Sequence, residues 1–242
     1  MINSSIAKQF ESCSRNRTIE FASLATGLIN ELRICVFDEV CQIVELEFYL
    51  YSKHHPDPFV HRDAMQKCFA RWYLHRTGGT LRNGSFKGLD LAMGSQGSHF
   101  GVLIRSLQTP SKGIVCGPCL CVDFLINKGG CQTVHGLNQT ISARNVWDSR
   151  NPIHLSNKFP RSELEIFSCP RVGLSTKIRS HTHSDYGSRC YRYLAHPRHV
   201  KKGRPELIVG LSRAGYSFDE IKALTGSPLR TIQKYSQNPQ FR

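Results

Sequence analysis

The segment from Val44 to His61 constrains the fold most, because its first half alternates between apolar and polar or phenolic side chains. The two alternating sets are Val44, Leu46, Phe48 and Leu50, and Glu45, Glu47, Tyr49 and Tyr51. A period of two is typical of a β-strand with one buried face. A His-Pro-Asp-Pro turn follows, where proline cannot donate to a strand ladder, and the segment ends at His61. The sequence therefore predicts a strand face that carries two carboxylates and two phenols, with an imidazole nearby.

The charge of the chain favours a polyanionic partner. Its formal net charge is +14 over 242 residues, with a pI near 9.5. Such an excess favours nucleic acid, and an anionic membrane surface comes second because no basic amphipathic helix is apparent. No apolar run approaches about 18 residues and no signal-peptide core is apparent, so we expect an intracellular protein, located with the DNA, without a membrane partner. In that setting the ten cysteines are expected to be reduced thiols.

The N-terminal and central segments predict a mixed α/β (α+β) core over residues 19–200, after a flexible N-terminus at 1–18. We expect a curved, mostly antiparallel sheet with flanking helices. The expected helices are F-A-S-L-A-T-G-L-I, ended by Gly27, then Asp63–Arg71 and Cys121–Lys128. The expected strands are Leu28–Val36, Val40–Leu50, Trp72–His75, L-D-L-A, F-G-V-L-I-R-S-L, Glu163–Phe167 and Arg189–Leu194. Loops are expected over Thr77–Lys87, which is rich in glycine and cationic, and over Asp148–Pro160.

Residues 201–242 predict a basic linker, Lys201–Pro205, and a small all-α domain. Helix boundaries are marked by a Ser217/Glu220 capping box, a turn at Gly226, and Ser227 as the N-cap before Pro228. The three predicted helices are Glu206–Ala214, Phe218–Leu224 and Pro228–Tyr235.

Five motifs occur in order along the central region: F-A-S-L-A-T-G-L-I, V-E-L-E-F-Y followed by His61, G-V-L-I-R-S-L, C-G-P-C-L-C and P-R-V-G-L. In this order they resemble the alkyladenine (3-methyladenine) DNA glycosylase family, and the resemblance covers about residues 20–195. It implies that Glu47 activates water for attack on the anomeric carbon of a flipped-out nucleotide. From the residues alone, Glu47 would more often be a strand-face salt-bridge partner.

The resemblance also implies a pocket for the extruded base. Tyr49 and His61 would form one wall, and Trp72, Tyr73 or His75 would supply the ring on the other side. The alternative is that these aromatic residues only pack under a turn. Arg105 matches an arginine that lines the family's active site, where it would orient Glu47 or contact a phosphate; a buried ion pair is the alternative.

Two departures from the family pattern affect the substrate. Asp90 stands where the family has a base-pocket asparagine, and a second acid beside Glu47 would raise one of the two pKa values or require a cation. The family's aromatic wedge has no clear match, and the glycine-rich loop instead offers DNA contacts. These candidates are Arg76, Arg82, Asn83 and Lys87, with a solvated loop face as the alternative.

Cys116-Gly117-Pro118-Cys119 spells a redox-like motif, but neither a surrounding βαβ unit nor a second pair of zinc ligands is present. We therefore expect structural thiols, and we expect His181 and His183 to be loop residues. No metal and no small-molecule cofactor is predicted.

The C-terminal segment is similar to the helix-turn-helix of invertase-type recombinases, in which a G-R-P arm enters the minor groove and the third helix enters the major groove. The alternative is a small helical cap packed on the main domain. Candidate DNA contacts are Lys201, Lys202, Arg204, Arg230, Gln233 and Lys234, with Ser227 and Thr231 also available. Arg204 is the residue that packing explains least.

These observations give a hypothesis and an alternative. The hypothesis is a monomeric, monofunctional DNA glycosylase that excises an alkylated or deaminated purine from double-stranded DNA. The alternative is a DNA-binding protein that holds an extruded or modified base without cutting it. A redox or metal protein is a distant third.

Overall fold

The computed structural model describes residues 20–174 and 185–237. The prediction for residues 1–18, and those for His181 and His183, lie outside these ranges. The strands are β1 Arg33–Val36, β2 Glu39–Ser52, β3 His55–Pro56, β4 Arg71–Leu74, β5 Arg76–Thr77, β6 Thr80–Leu81, β7 Leu89–Ala92, β8 Ser98–Thr109, β9 Gly113–Cys116, β10 Ile153–Ser156, β11 Phe167–Cys169 and β12 Arg192–Leu194. The α-helices are α1 Phe21–Thr26, α2 Pro118–Lys128, α3 Val134–Ile141, α4 Arg204–Arg213, α5 Phe218–Thr225 and α6 Leu229–Ser236.

A ten-stranded sheet organises the described residues, and its pairings are antiparallel. Its main path runs β10-β1-β2-β8-β7-β4, while β5 and β6 form a separate hairpin. The 14-residue β2 pairs with β1, β3, β8 and β12, so it is the central strand. The predicted class, mixed α/β with a large antiparallel sheet, is confirmed.

One face of β2 lies in the main hydrophobic core. Leu46, Phe48 and Leu50 are buried there, and the ring of Phe21 in α1 stacks on Phe48 at 4.5 Å. The core also takes in α2 and α3 through residues such as Val122 and Leu137. No helix among the described residues has the length and apolar character needed to cross a bilayer. The predicted alternation of β2 therefore positions Glu45, Glu47 and Tyr49 on the face opposite this core.

A β-bulge interrupts the alternation at Val44. The pairing passes from Ile43 with Leu107 to Glu45 with Ser106, and then to Leu46 with Ile104. Val44 on β2 and Arg105 on β8 therefore have no direct partner across the ladder. The prediction that Val44 shares the core face is wrong, since it lies outside the core cluster that holds Leu46. A bulge re-aims side chains locally, and here it directs Arg105 toward the β2 carboxylates.

Several predicted boundaries are wrong for identifiable reasons. Gly27 does not end the first helix, because its φ and ψ are helical and the chain continues as a π-helical turn over Gly27–Glu31. The first strand therefore starts at Arg33 instead of Leu28. The predicted helix at Asp63–Arg71 is a single 3₁₀ turn, Ala64–Lys67, capped by Asp63. Part of the predicted loop at 148–160 is strand β10, whose pairing with β1 is non-local.

The three C-terminal helices pack directly on the sheet. A second hydrophobic cluster joins them to β11, β12 and Val200; its members are Phe167, Cys169, Leu194, Val200, Leu207, Ile208, Leu211, Ile221 and Ile232. The Ser217/Glu220 capping box and the left-handed turn at Gly226 form as predicted. Ser227 does not cap α6, because Pro228 occupies the N-cap position. The helices thus share their core with the sheet, and their removal would expose it.

Gly210 of α4 packs directly against β11, and it gives a test of this packing. A Cβ at position 210 would overlap the carbonyl oxygen of Ser168 and lie 2.5 Å from the Cβ of Cys169. We expect Gly210→Ala to lower the free energy of unfolding by about 1–3 kcal/mol, measured by urea denaturation. The control is Gly97→Ala, whose added Cβ meets no atom within 4 Å. Equal midpoints for the two variants would contradict this packing.

Candidate functional site

A cavity of about 460 Å³ opens on the face of the sheet opposite the main core. Its walls come from the end of β2, the 3₁₀ turn, the strands β7 and β8, the loop before β7, and residues 172–174. The lining residues are Tyr49, Phe59, His61, Gln66, His75, Arg82, Phe86, Asp90, Leu103, Arg105, Val172, Gly173 and Leu174. Aromatic and imidazole rings thus surround a space that also contains a few charged groups.

Glu47 lies beneath this cavity and is fully buried. Its Oε2 accepts a hydrogen bond from the Tyr49 hydroxyl at 2.8 Å, and its Oε1 accepts one from the backbone N–H of Val172 at 2.9 Å. The Arg105 guanidinium is 3.2 Å from the same Oε1. All three partners of Glu47 line the cavity, so the carboxylate is held just behind the cavity floor.

A second carboxylate, Glu45, shares the cation of Glu47. The Arg105 Nε donates to Glu45 at 2.8 Å, and the Ser106 hydroxyl donates to its other oxygen. Arg192 of β12 approaches from the opposite side, with Nε 2.8 Å and a terminal nitrogen 2.7 Å from Glu45 Oε1. Two buried carboxylates therefore alternate with two buried guanidinium groups. The acid that shares Arg105 with Glu47 is therefore Glu45, while Asp90 lines the cavity elsewhere.

Burial and neighbouring charges shift the pKa values of Glu45, Arg105 and Tyr49 in this network. Burial raises the pKa of Glu45, but the charges of Arg192 and Arg105 outweigh it, so the net shift is downward and the group stays ionised. Burial lowers the pKa of Arg105, yet the Glu47 and Glu45 carboxylates raise it above its usual range. Burial and the Glu47 charge raise the pKa of Tyr49 well above its usual range. Tyr49 therefore remains a protonated donor to Glu47.

Asp90 lies toward the other side of the cavity, paired with His75. The two are joined by a 2.7 Å contact between His75 Nε2 and Asp90 Oδ1. In the sheet, Asp90 is opposite Leu103, which is opposite Glu47, so one whole strand separates the two acids. His75 is thus the hydrogen-bond partner of Asp90 in the cavity wall.

The rings predicted to face the base are only partly in place. Tyr49, His61 and His75 line the cavity, and the His61 and His75 rings meet edge to face at 5.0 Å. Tyr73 does not line it, because it stacks behind His75 at 5.5 Å. Trp72 points into the main core and donates from Nε1 to the Ile153 carbonyl at 2.6 Å. Among these three β4-region candidates, only His75 reaches the cavity.

The predicted cationic loop contains the β5–β6 hairpin, which turns at Gly78 and Gly79 with positive φ. Its cations separate into different environments. Arg82 lines the cavity, with its guanidinium 4.6 Å from the centre of the Phe86 ring. Lys87 is 2.5 Å from Asp123 and so forms an ion pair with α2. Arg76 is partly buried, and Asn83 is exposed.

Cys116 and Cys119 make separate contacts. The Cys116 thiol donates to the His199 carbonyl at 3.2 Å, and the Cys119 thiol donates to that of Ser85 at 3.3 Å. Burial raises the pKa of Cys116, which disfavours the reactive thiolate. Within residues 20–174 and 185–237, no three metal-binding side chains come together.

The C-terminal candidates also divide into two groups. The first group is exposed to solvent and consists of Lys201, Lys202, Arg230, Gln233 and Lys234. The second group is Arg204, which is partly buried.

Arg204 is not part of an extended arm. It is the first residue of α4, and Gly203 before it is the N-cap. Its guanidinium donates to the carbonyls of Thr225, Val200 and Arg198. The predictions of a G-R-P arm, and of an Arg204 unexplained by packing, are therefore wrong, since Arg204 ties α4 to the end of α5.

Sequence reasoning missed several residues that build the site. Glu45 lies on the predicted carboxylate face, so its position alone could have suggested it. Arg171 is fully buried; it contacts Asp57 at 2.7 Å and places its guanidinium 4.5 Å from the centre of the Tyr49 ring. Phe86 lines the cavity and is 37 % exposed. The glycine-rich loop around Phe86 was the available signal.

His55 lies on the short strand β3 and predicts how the stability of the fold depends on pH. Burial lowers its pKa from 6.5 to about 4. Between pH 6.5 and pH 4 the unfolded chain binds the proton and the folded chain does not, so this contribution to stability is present above 6.5 and lost as the pH falls. We expect the urea midpoint to fall over this window, and to fall less in His55→Gln. An equal fall in both proteins would contradict this assignment.

The fold and the site define a class: a mixed α/β protein with a buried carboxylate beneath an aromatic-lined cavity. No protein-family model matches the chain. The chain is similar to the uncharacterized protein L759 of Acanthamoeba polyphaga mimivirus, with 31% identity over 202 residues, which cover 77% of this chain and 91% of the viral protein. The chain belongs to the same family as this mimivirus protein.

Proposed function

We propose that this protein is a monofunctional DNA glycosylase that flips a damaged purine, alkylated or deaminated, out of duplex DNA and hydrolyses its N-glycosidic bond. The observation that carries the proposal is the placement of Glu47, held by three cavity-lining partners directly behind the cavity floor. Loss of a purine leaves positive character on the sugar. A carboxylate at the floor stabilises that charge and accepts the proton of the attacking water.

The rings of the cavity support an extruded base as the ligand. Tyr49, His61, His75 and Phe86 all line the cavity, and the ring centre of His75 lies 5.0 Å from that of His61 and 5.6 Å from that of Phe86. A base has two π-faces, and stacking on aromatic side chains stabilises it by about 1–3 kcal/mol per base. The His75–Asp90 pair adds a polar edge that can distinguish one purine from another by hydrogen bonding. Arg82 and Phe86 also line the cavity, and their proposed role is contact with the DNA strand beside the extruded base.

The charge of the chain supports duplex DNA as the partner. The finer assignment of the C-terminal helices is part of the proposal: α5, the turn at Gly226 and α6 act as a helix-turn-helix. Arg230, Gln233 and Lys234 are on the exposed surface of α6, available for phosphate or base contact. The helices share a core with the sheet, which fixes the module to the part of the chain that carries the cavity.

A second candidate function is a DNA-binding protein that holds an extruded or modified base without cutting it. The burial of Glu47 favours this candidate, because the carboxylate is 0 % exposed and both of its oxygens already accept hydrogen bonds. A water molecule would then need one of these partners to move. The two candidates differ in a single observable, the release of a base.

The test is base release from a set of duplexes that carry hypoxanthine, ethenoadenine or 3-methyladenine. After incubation with the protein, abasic sites are cleaved by alkali and the products are separated on a denaturing gel. The proposal expects cleavage of at least one lesion duplex and none of the undamaged duplex. Tight binding of a lesion duplex with no release from any of the three would support the second candidate.

A further inference from the structure

A shallow groove of about 400 Å³ lies where the 3₁₀ turn Pro197–His199 meets the start of α6, and it is separate from the cavity in front of Glu47. Arg198, Ser227 and Thr231 line it. The groove is built from three kinds of hydrogen-bond donor: a guanidinium, hydroxyl groups and the N-terminus of a helix.

Arg198 supplies a free positive charge at this groove. Its side chain is exposed, and among the described residues no carboxylate lies within ion-pair distance of it. A Cβ built on Gly226 would be 3.8 Å from the Arg198 Nε, so this nitrogen lies over the turn between α5 and α6. The guanidinium is therefore placed beside the turn with its donors available.

Ser227 supplies a buried hydroxyl without a partner. The residue is 2 % exposed, and its Oγ has no hydrogen-bond partner in the described structure. Its backbone N–H is already used, since it donates to the Thr225 hydroxyl at 3.1 Å. Buried hydroxyl groups are almost always hydrogen-bonded, because leaving one unpaired costs free energy. Because Ser227 lines the groove, its unpartnered hydroxyl indicates a ligand that accepts from it.

The N-terminus of α6 supplies further donors. The N–H groups of Thr231 and Ile232 donate to the Pro228 carbonyl, so the two N–H groups before them have no acceptor within the helix. Pro228 is the N-cap and has no side-chain acceptor to satisfy them. The positive end of the helix dipole is thus uncapped and available to an anion.

The C-terminal segment that builds the groove is also rich in positive charge. Residues 198–235 contain eight Lys or Arg and three Asp or Glu. Arg204 lines the groove too, but its guanidinium is occupied by three carbonyl groups, so it adds charge and fixes the wall without offering a free donor. A multivalent oxyanion is the ligand that matches this combination of donors and charge.

We propose that this groove binds a phosphate group, and that the phosphate is a backbone phosphodiester of duplex DNA. Arg198, the Ser227 hydroxyl and the N-terminus of α6 each donate to the phosphate oxygens. The exposed Arg230 and Lys234 continue the positive surface along α6, which favours an extended polyanion over a single free phosphate. The choice of DNA rests on the proposed function, whereas the phosphate chemistry does not.

The experiment measures duplex affinity at several KCl concentrations for the full chain, and it does not depend on base release. For Arg198→Gln we expect the slope of log Kobs against log [KCl] to become shallower by about 0.9, because one fewer counterion is released. For Ser227→Ala we expect roughly ten-fold weaker binding with the slope unchanged, because a neutral donor to a charged acceptor is lost. Arg144→Gln, an exposed arginine after α3, is the matched control and should retain the wild-type slope.

Two further measurements keep the result interpretable. Thermal unfolding of Ser227→Ala should match the wild type, since no protein group loses a partner. Unchanged slope in Arg198→Gln together with unchanged affinity in Ser227→Ala would overturn the proposal. Inorganic phosphate that stabilises the wild type but not Ser227→Ala, without any change in duplex affinity, would overturn DNA as the source. Absence of base release together with the expected shift in slope would refute the glycosylase proposal and support the phosphate site.

Discussion

Arg192→Met is expected to lower the free energy of unfolding by about 3–5 kcal/mol, because it removes one of the two guanidinium partners of the buried Glu45 carboxylate. Arg192 is fully buried, donates twice to Glu45, and also donates to the carbonyls of Lys202 and Gly203. The methionine keeps much of the volume but none of these hydrogen bonds. Glu45 would then depend on Arg105 and Ser106 alone, and two carbonyls at the start of the C-terminal helices would lose their donor.

The measurement is equilibrium urea unfolding, with Arg150→Met as the matched control. Arg150 is exposed and forms an ion pair with Asp148, two residues away, so its loss should leave the midpoint unchanged. In the double variant Glu45→Leu/Arg192→Met both charges are removed, and the loss should be smaller than the sum of the single losses. A midpoint for Arg192→Met equal to that of Arg150→Met would contradict the role assigned to this network.

Glu47→Gln is expected to slow base release by about 10²- to 10⁴-fold, the usual contribution of a general base. The shape of the site should survive the change. The amide oxygen can accept from Val172 and Arg105, and the amide nitrogen can donate to the Tyr49 hydroxyl oxygen in place of accepting from it. Arg105 keeps Glu45 as its anionic partner.

The matched control for this variant is Glu163→Gln, which changes an exposed carboxylate and should leave the rate unchanged. The affinity of Glu47→Gln for duplex DNA should stay within a few-fold of the wild-type affinity, because the carboxylate lies behind the cavity floor. A parallel loss of affinity and rate would indicate that the substitution damages binding instead of chemistry.

The sequence could predict features that depend on neighbours along the chain. The alternation of Leu46, Phe48 and Leu50 identifies the core face of β2, since the side-chain period of a strand is a local property. The three C-terminal helices follow from caps that lie within a few residues of each other, such as Ser217 and Glu220. The observed boundaries of these three helices therefore lie within two residues of the predicted ones.

Features that join distant parts of the chain could not be predicted in this way. Arg192 and Glu45 are 147 residues apart, and Arg171 and Asp57 are 114 apart, so no local pattern links them. The bulge at Val44 is set by the register with β8, not by the sequence of β2. For the same reason the sequence predicts Arg204 to be part of an arm, because its contact with the Thr225 carbonyl at the end of α5 is non-local.

The central claim is that Glu47 activates water for base release from the cavity that it underlies. The most direct measurement is a single-turnover assay, with protein in excess over the best lesion duplex from the set, run in parallel for the wild type, Glu47→Gln and Glu163→Gln. We expect the wild type and Glu163→Gln to release the base at equal rates. We expect Glu47→Gln to release it at least about a hundred-fold more slowly when the same fraction of duplex is bound. Equal rates for wild type and Glu47→Gln on a duplex that both proteins saturate would contradict it.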